Sequence, residues 1–213
     1  MTGVMERLAQ VRLVPVVVLQ RPEDAWPLGQ ALKAGGLPCE EVTYRTAAAE
    51  DAIRALAKDP DILLGAGTVL TPEQVDRAVE AGASYIVTPG FSAAVVRRCQ
   101  ELGVPVFPGV ATPTEIQMAL EAGLDTVKFF PAETVGGIKA LTAMSAPFRN
   151  LRFIPTGGIT TDNLADYLAV PSVLAVGGSW MVAADLVAAG SFEEVTRLSA
   201  AAVAIVRGSG EGA

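Results

Sequence analysis

The sequence predicts a single-domain α/β protein, a (β/α)8 TIM barrel over residues 1–213 with a short N-terminal helix, and three observations lead there. Apolar, often β-branched runs begin near Leu13, Cys39, Ile62, Tyr85, Val104, Thr126, Arg152 and Ser172, at steps of 19 to 26 residues. Repeated strand–helix units produce that stride, and a β-sandwich does not. Most of the runs are separated by Ala-rich amphipathic stretches, and the runs themselves are continuously apolar, as parallel strands covered on both faces should be. An open doubly wound sheet is the alternative. Against it, the first strand–helix turn, Leu19 to Asp24, carries no glycine-rich dinucleotide fingerprint.

Taken in order, "MTGVMERLAQV" is expected to form a short helix lying across one end. The apolar run Leu13 to Leu19 is the first strand: as a signal-peptide core it lacks a small-residue cleavage site and is stopped at once by "QRPED". The second strand is "CEEVTYRT". Further on, "TPEQ" (Thr71 to Gln74) and "TPTE" (Thr112 to Glu115) each offer a Thr N-cap, a Pro at the first helical position and an amide or carboxylate at the third. Gly35, Gly82, Gly103 and Gly123 stand where left-handed helix C-caps are wanted, just before the next apolar run. The tail "RGSGEGA" is expected to fray. There is no low-complexity linker, no second domain, and no apolar run of the roughly 18 residues a membrane span needs.

With 213 residues, 51% apolar and 18% charged, the chain has material for a sizeable core. Its net charge of -7 argues against a nucleic-acid or anionic-membrane partner while leaving room for a small basic pocket. A cytoplasmic protein acting on a small molecule is expected. Two cysteines, Cys39 and Cys99, cannot make a disulfide framework, and the absence of histidine removes the commonest metal ligand and general base. No metal is expected, and acid–base work falls to carboxylates, Lys, Tyr, Cys or water.

Barrel active sites form at the C-terminal ends of the strands. Of the four lysines, Lys33, Lys58 and Lys139 fall in helical stretches, and Lys128 alone sits within a strand, in "DTVKFFPAE". Strand alternation puts Thr126, Lys128 and Phe130 on one face and Val127 and Phe129 on the other, so Lys128 points inward if the second set packs on helices. One reading is a core lysine paired with an interior carboxylate. The other is a desolvated amine acting as nucleophile toward a carbonyl, a Schiff-base lysine. In the second strand, Glu41, Thr43 and Arg45 share a face. Glu41 is either a proton shuttle or a salt-bridge partner; Arg45 is either a bidentate clamp for a substrate carboxylate or a surface arginine. Glu40 must face the helices. Glycine-rich strand ends, "GAGT" (Gly65 to Thr68), "TPG" (Thr88 to Gly90), "PGV" (Pro108 to Val110), "PTGG" (Pro155 to Gly158) and "GGS" (Gly177 to Ser179), let backbone N–H groups approach an anion. Those after the seventh and eighth strands lie where such barrels commonly hold phosphate.

In order and spacing, "EVTYRT", "GAGTVL", "TPG", "PGVATPTE", "VKFFPAE", "PTGGI" and "GGSW" resemble the 2-keto-3-deoxy-6-phosphogluconate aldolase family, whose members also act as 4-hydroxy-2-oxoglutarate aldolases. The resemblance runs from about Val14 to the last helix. It implies a class I, metal- and cofactor-free aldolase, usually a homotrimer, that cleaves the phosphorylated keto acid to pyruvate and glyceraldehyde 3-phosphate in the Entner-Doudoroff route. It further implies that Lys128 forms the imine and Glu41 accepts the proton. Arg45 and Thr68 would contact the keto-acid part, with Thr156 beside the pyruvyl pocket. Gly157, Gly158, Gly178 and Ser179 match a phosphate cradle, and Pro89, Gly90 and Phe130 a pocket wall. Glu40 departs from the family, where an aliphatic residue is commoner. Two rivals stand beside this reading: a phosphate-binding barrel that isomerises or couples a sugar phosphate without a covalent intermediate, and a non-catalytic metabolite-binding or scaffold barrel.

Overall fold

The structure, a computed structural model, describes residues 3–209. Helix α1 (Val4–Val11) precedes a series of strands and helices that alternate: β1 (Leu13–Val17), α2 (Ala25–Ala34), β2 (Cys39–Thr43), α3 (Ala49–Leu56), β3 (Leu63–Gly67), α4 (Pro72–Ala81), β4 (Tyr85–Val87) and α5 (Ala93–Leu102). There follow β5 (Val106–Phe107), β6 (Gly109–Val110), α6 (Pro113–Glu121), β7 (Thr126–Phe129), α7 (Gly137–Ser145), β8 (Arg152–Pro155), α8 (Leu164–Leu168), β9 (Val176–Gly178), α9 (Ala184–Ala188) and α10 (Phe192–Gly208).

The strands pair in parallel throughout, in two sheets. One has six strands in the order β5-β4-β3-β2-β1-β9 and the other three in the order β6-β7-β8. The α/β class and the parallel pairing agree with expectation, but the strands do not form the single eight-stranded ladder the sequence predicts. The fifth apolar run is the cause on one side. Pro108 has no N–H to give to a ladder and divides that run into β5 and β6, one in each sheet. On the other side, β8 reaches the eighth run through isolated parallel bridges, Phe153 with Val173 and Thr156 with Gly177.

Every residue of β1, β2 and β3 is buried, which is why β1 and β3 carry no charged side chain; β2 is the exception, burying Glu40, Glu41 and Thr43. Their outward side chains join the inner faces of the helices in a layer that includes Leu28, Ile53, Val75, Val127 and Phe129. A second cluster fills the N-terminal end of the strands, where Leu8 from α1 is fully buried against Val14, Leu63, Tyr85 and Phe107. Helix α1 thus lies over that end and leaves the opposite, C-terminal end open.

The helix ends follow their sequence signals with one exception. Thr71 Oγ1 accepts from Gln74 N (3.3 Å) while Gln74 Oε1 accepts from Thr71 N (3.3 Å), a full capping box, and Thr112 Oγ1 likewise accepts from Glu115 N. Gly82, Gly103 and Gly123 take positive φ after α4, α5 and α6. Gly35 does not: its φ is -74°, and the left-handed turn falls on Gly36 (φ 81°). Gly35 is needed for close approach instead, because a Cβ there would lie 2.6 Å from Ser199 Cβ of α10. Lys33 and Lys139 lie in α2 and α7, but Lys58 sits in the turn after α3. Of the tail expected to fray, Arg207 and Gly208 end α10; its residues 210–213 lie outside the described ones. Among the described residues no helix is long and apolar enough to cross a membrane.

Candidate active site

Strand β7 sets the centre of the site. Val127 and Phe129 are fully buried on the helix side, so period-two alternation turns Thr126 and Lys128 inward. There Lys128 Nζ donates to Glu41 Oε1 at 3.3 Å, with only 6% and 5% of the two side chains exposed. Burying either charge alone would be costly, and the pair balances them. The amine also lies 5.2 Å from the centre of the Phe130 ring. Glu41 enters from β2, where Thr43 on the same face donates its hydroxyl to Val17 O (2.8 Å).

Arg45, just beyond β2, donates from Nε to Thr68 Oγ1 (3.4 Å). Thr68 follows β3 with φ 56°, a left-handed conformation costly for a β-branched residue, on the order of 1–3 kcal/mol. Strain of that size persists only where the surroundings hold it, and here the Thr68 hydroxyl is the acceptor for Arg45 Nε.

Above the pair opens a cavity of about 570 Å³, within the range of small-molecule sites. Arg45, Phe130, Thr156, Gly158, Ser179 and Trp180 are on its wall, as are Gly157 and Gly178. Lys128 and Glu41 are not. They border a much smaller interior space of about 10 Å³ together with Tyr85, Phe107 and Ile154. The reactive pair therefore forms a floor beneath the wide mouth, and Phe130, which lines the mouth and faces the amine, joins the two levels. Pro89 and Gly90 stand apart from the mouth. They pack on β6, where a Cβ at Gly109 would come within 2.8 Å of Gly90 N, and Thr88 Oγ1 donates to Gly90 O (2.6 Å).

The glycine turn after β8 is held from the side. Gly157 and Gly158 have φ of 104° and 79°, open only to glycine at little cost. Ala132 N donates to Thr156 O (2.8 Å) and Glu133 N to Gly157 O (3.1 Å), so the segment after β7 is stitched to this turn. The Tyr167 hydroxyl of α8 donates to the Glu133 carboxylate in turn, and a Cβ at Gly158 would meet Glu133 Cβ at 2.7 Å. Glu133 and Tyr167 are supports that the site-residue reading of the sequence passes over. The glutamate of "KFFPAE" was the available signal for the first; for Tyr167 nothing local marks it.

The other titratable candidates recede. Burial pushes the thiols of Cys39 and Cys99 up to about 12, so both stay protonated within the core. Burial likewise raises the Tyr85 phenol well above its ordinary value. Glu40 faces the helices as expected, fully buried, with its Oε1 3.1 Å from where a Cβ on Gly29 of α2 would sit. Neither of its oxygens has a hydrogen-bond partner among the described residues, and desolvation raises its carboxyl to about 8. No cluster of three or more Cys, Asp or Glu able to hold a metal occurs among the described residues.

The family model described as KDPG and KHG aldolase matches residues 4–198. A 2-dehydro-3-deoxy-phosphogluconate aldolase of Treponema pallidum is 53% identical over 207 residues, 97% of this chain and 99% of the relative. The KHG/KDPG aldolase of Escherichia coli is 47% identical over 192 residues, 90% of each chain. Among solved structures, KDPG aldolase from Legionella pneumophila, with pyruvate captured as a covalent carbinolamine intermediate, superposes with a TM-score of 0.91 at 40% identity, covering 94% of this chain and 98% of that one.

Proposed function

This chain belongs to the KDPG and KHG aldolase family, and we infer on that premise that it is a class I aldolase cleaving 2-keto-3-deoxy-6-phosphogluconate to pyruvate and glyceraldehyde 3-phosphate. The observation that carries the reading is the buried Lys128–Glu41 pair at 3.3 Å beneath an open mouth. Cleavage of 4-hydroxy-2-oxoglutarate to pyruvate and glyoxylate uses the same chemistry and is proposed as a second activity.

Each step needs a group that the site holds. Passing a proton to Glu41 frees the Lys128 amine, which adds to the C2 carbonyl; Glu41 returns that proton to the carbinolamine hydroxyl as it leaves as water, giving a protonated imine and a free carboxylate. That imine is the electron sink. Glu41 takes the C4 hydroxyl proton as the C3–C4 bond breaks, the aldehyde departs, and the bond's electrons remain as an enamine. Return of that proton from Glu41 to C3, and hydrolysis of the imine by water, then release pyruvate and restore the Lys128–Glu41 pair. Arg45 beside Thr68 is suited to clamp the keto-acid carboxylate with Thr156 nearby, and the Gly157–Gly158 turn with Gly178 and Ser179 offers backbone and hydroxyl donors to the 6-phosphate. Phe130 would wall the reacting end. Pro89 and Gly90 would act through the packing of β6 rather than on the mouth. No metal or cofactor enters any step.

The same reading treats the two sheets as one closed (β/α)8 domain, joined through Pro108 and the Thr156–Gly177 bridge. It also makes the working form a cytoplasmic homotrimer. The test of the activity is pyruvate release from the phosphorylated keto acid, followed in a coupled assay for the parent chain and for Lys128→Ala. Robust turnover by the parent that disappears in the variant is expected; an inactive parent, or an active Lys128→Ala, would overturn the assignment.

A further inference from the structure

We propose that Gly67 is a positioning residue for the reaction, its missing side chain forming the slot in which the Glu41 carboxylate lies. The proposal rests on the reading of Glu41 as proton acceptor and deepens it. Gly65 and Gly67 fall within β3, not in the turn after it, and at two-residue spacing both face inward. Neither takes a positive φ, so the reason for glycine here is room and not conformation. That room is filled from both sides. A Cβ at Gly67 would lie 2.6 Å from Glu41 Cγ and 2.7 Å from Cδ, and closer still to Oε1. A Cβ at Gly65 would run into the Tyr85 ring from β4, 2.7 Å from Cδ2.

The register explains the division. Glu41 stands directly opposite Gly65, and Tyr85 stands opposite Gly65 from the other side. The Tyr85 ring takes the space over Gly65. Glu41 is thereby turned two residues along the strand, over Gly67, toward the C-terminal end where Lys128 waits. The oxygen that would be struck by a side chain at position 67 is the same Oε1 that accepts from Lys128 Nζ. Backbone β3 is poorly placed to yield to such a clash, since it is fully buried, paired with β2 through Gly67 and with β4 through Ala66. An alanine at 67 therefore displaces the carboxylate, and the proton acceptor leaves its place beside the amine.

The experiment is a double-mutant cycle of Gly67→Ala and Glu41→Ala, read as kcat and KM for cleavage of the phosphorylated keto acid. Gly67→Ala is expected to lower kcat by about 10²-fold, the scale of misplaced acid–base catalysis, with KM changed by less than about threefold. On the Glu41→Ala background the same substitution should change kcat by less than about twofold, because the group it acts through is gone. Parental kcat in Gly67→Ala overturns the proposal, as does an equal loss on both backgrounds. If Gly67→Ala does not fold, the thermal midpoint of the double variant decides. Recovery to that of Glu41→Ala supports the slot, and no recovery refutes it. Near-parental kcat in Glu41→Ala itself would instead remove the proton-acceptor reading, and the proposal with it.

Discussion

Lys128 and Glu41 are a pair whose removal should be felt in chemistry before binding. Glu41→Gln keeps the shape and loses the base, so kcat should fall by roughly 10²- to 10⁴-fold while pyruvate affinity changes little. Steady-state kinetics with a pyruvate inhibition constant checks this, and an unchanged kcat would exclude Glu41 from the mechanism. Both residues were legible because strand alternation alone turns them inward. The role of Gly67 was not: an absent side chain gains meaning only when the register places a neighbour's carboxylate over it. Glu40 makes a different prediction. Its folded carboxyl is raised to about 8 by burial between β2 and α2, where its Oε1 lies beside Gly29. Below the ordinary carboxyl value it is protonated in both states and its contribution is complete. As pH rises toward 8 only the unfolded chain ionises, so stability is lost through that window at up to about 1.4 kcal/mol per unit. Glu40→Gln, neutral at every pH, should flatten the decline in urea midpoint between pH 5 and 8. Parallel declines in the two proteins would show that the pH dependence comes from elsewhere.

At the scale of elements, the sequence marks helix starts better than it marks strand continuity. The two Thr-Pro starts read true because the cap bonds are local: Thr71→Ala should cost about 1 kcal/mol in a denaturant titration, and a loss near zero would mean that the box is not holding α4. The fifth run read as one strand because hydropathy does not register that Pro108 withholds a donor. Gly35 misled for a related reason, since its contact is with α10, more than a hundred residues away in sequence. The tie from α8 to the segment after β7 is equally non-local. Tyr167→Phe removes the hydroxyl that holds Glu133, and with it part of the brace on the Gly157–Gly158 turn. A hydrogen bond to a charged group of about 1.4 kcal/mol corresponds to about a tenfold rise in KM for the phosphorylated substrate. The KM for 4-hydroxy-2-oxoglutarate, which has no phosphate to hold, should be unchanged; an equal rise for both substrates would place the effect at the keto-acid end.

For the whole molecule, the order of units was legible from the stride of the apolar runs, since each crossover needs a similar length of chain. How the two sheets meet was not, because it depends on one proline and on two isolated bridges. Assembly is a prediction at this scale. Trp26, Leu102, Met118 and Leu120 are exposed apolar side chains on α2, α5 and α6, surface that a trimer contact could cover. Sedimentation equilibrium should give the mass of three 22.0 kDa chains, and a single-chain mass at micromolar concentration would contradict the trimer. That the folded molecule captures a keto acid on one lysine is tested by borohydride reduction in the presence of pyruvate, followed by intact mass and peptide mapping. One reduced adduct per chain is expected, on Lys128, and none on Lys128→Ala. An unmodified chain, or an adduct on Lys33, Lys58 or Lys139, would contradict it.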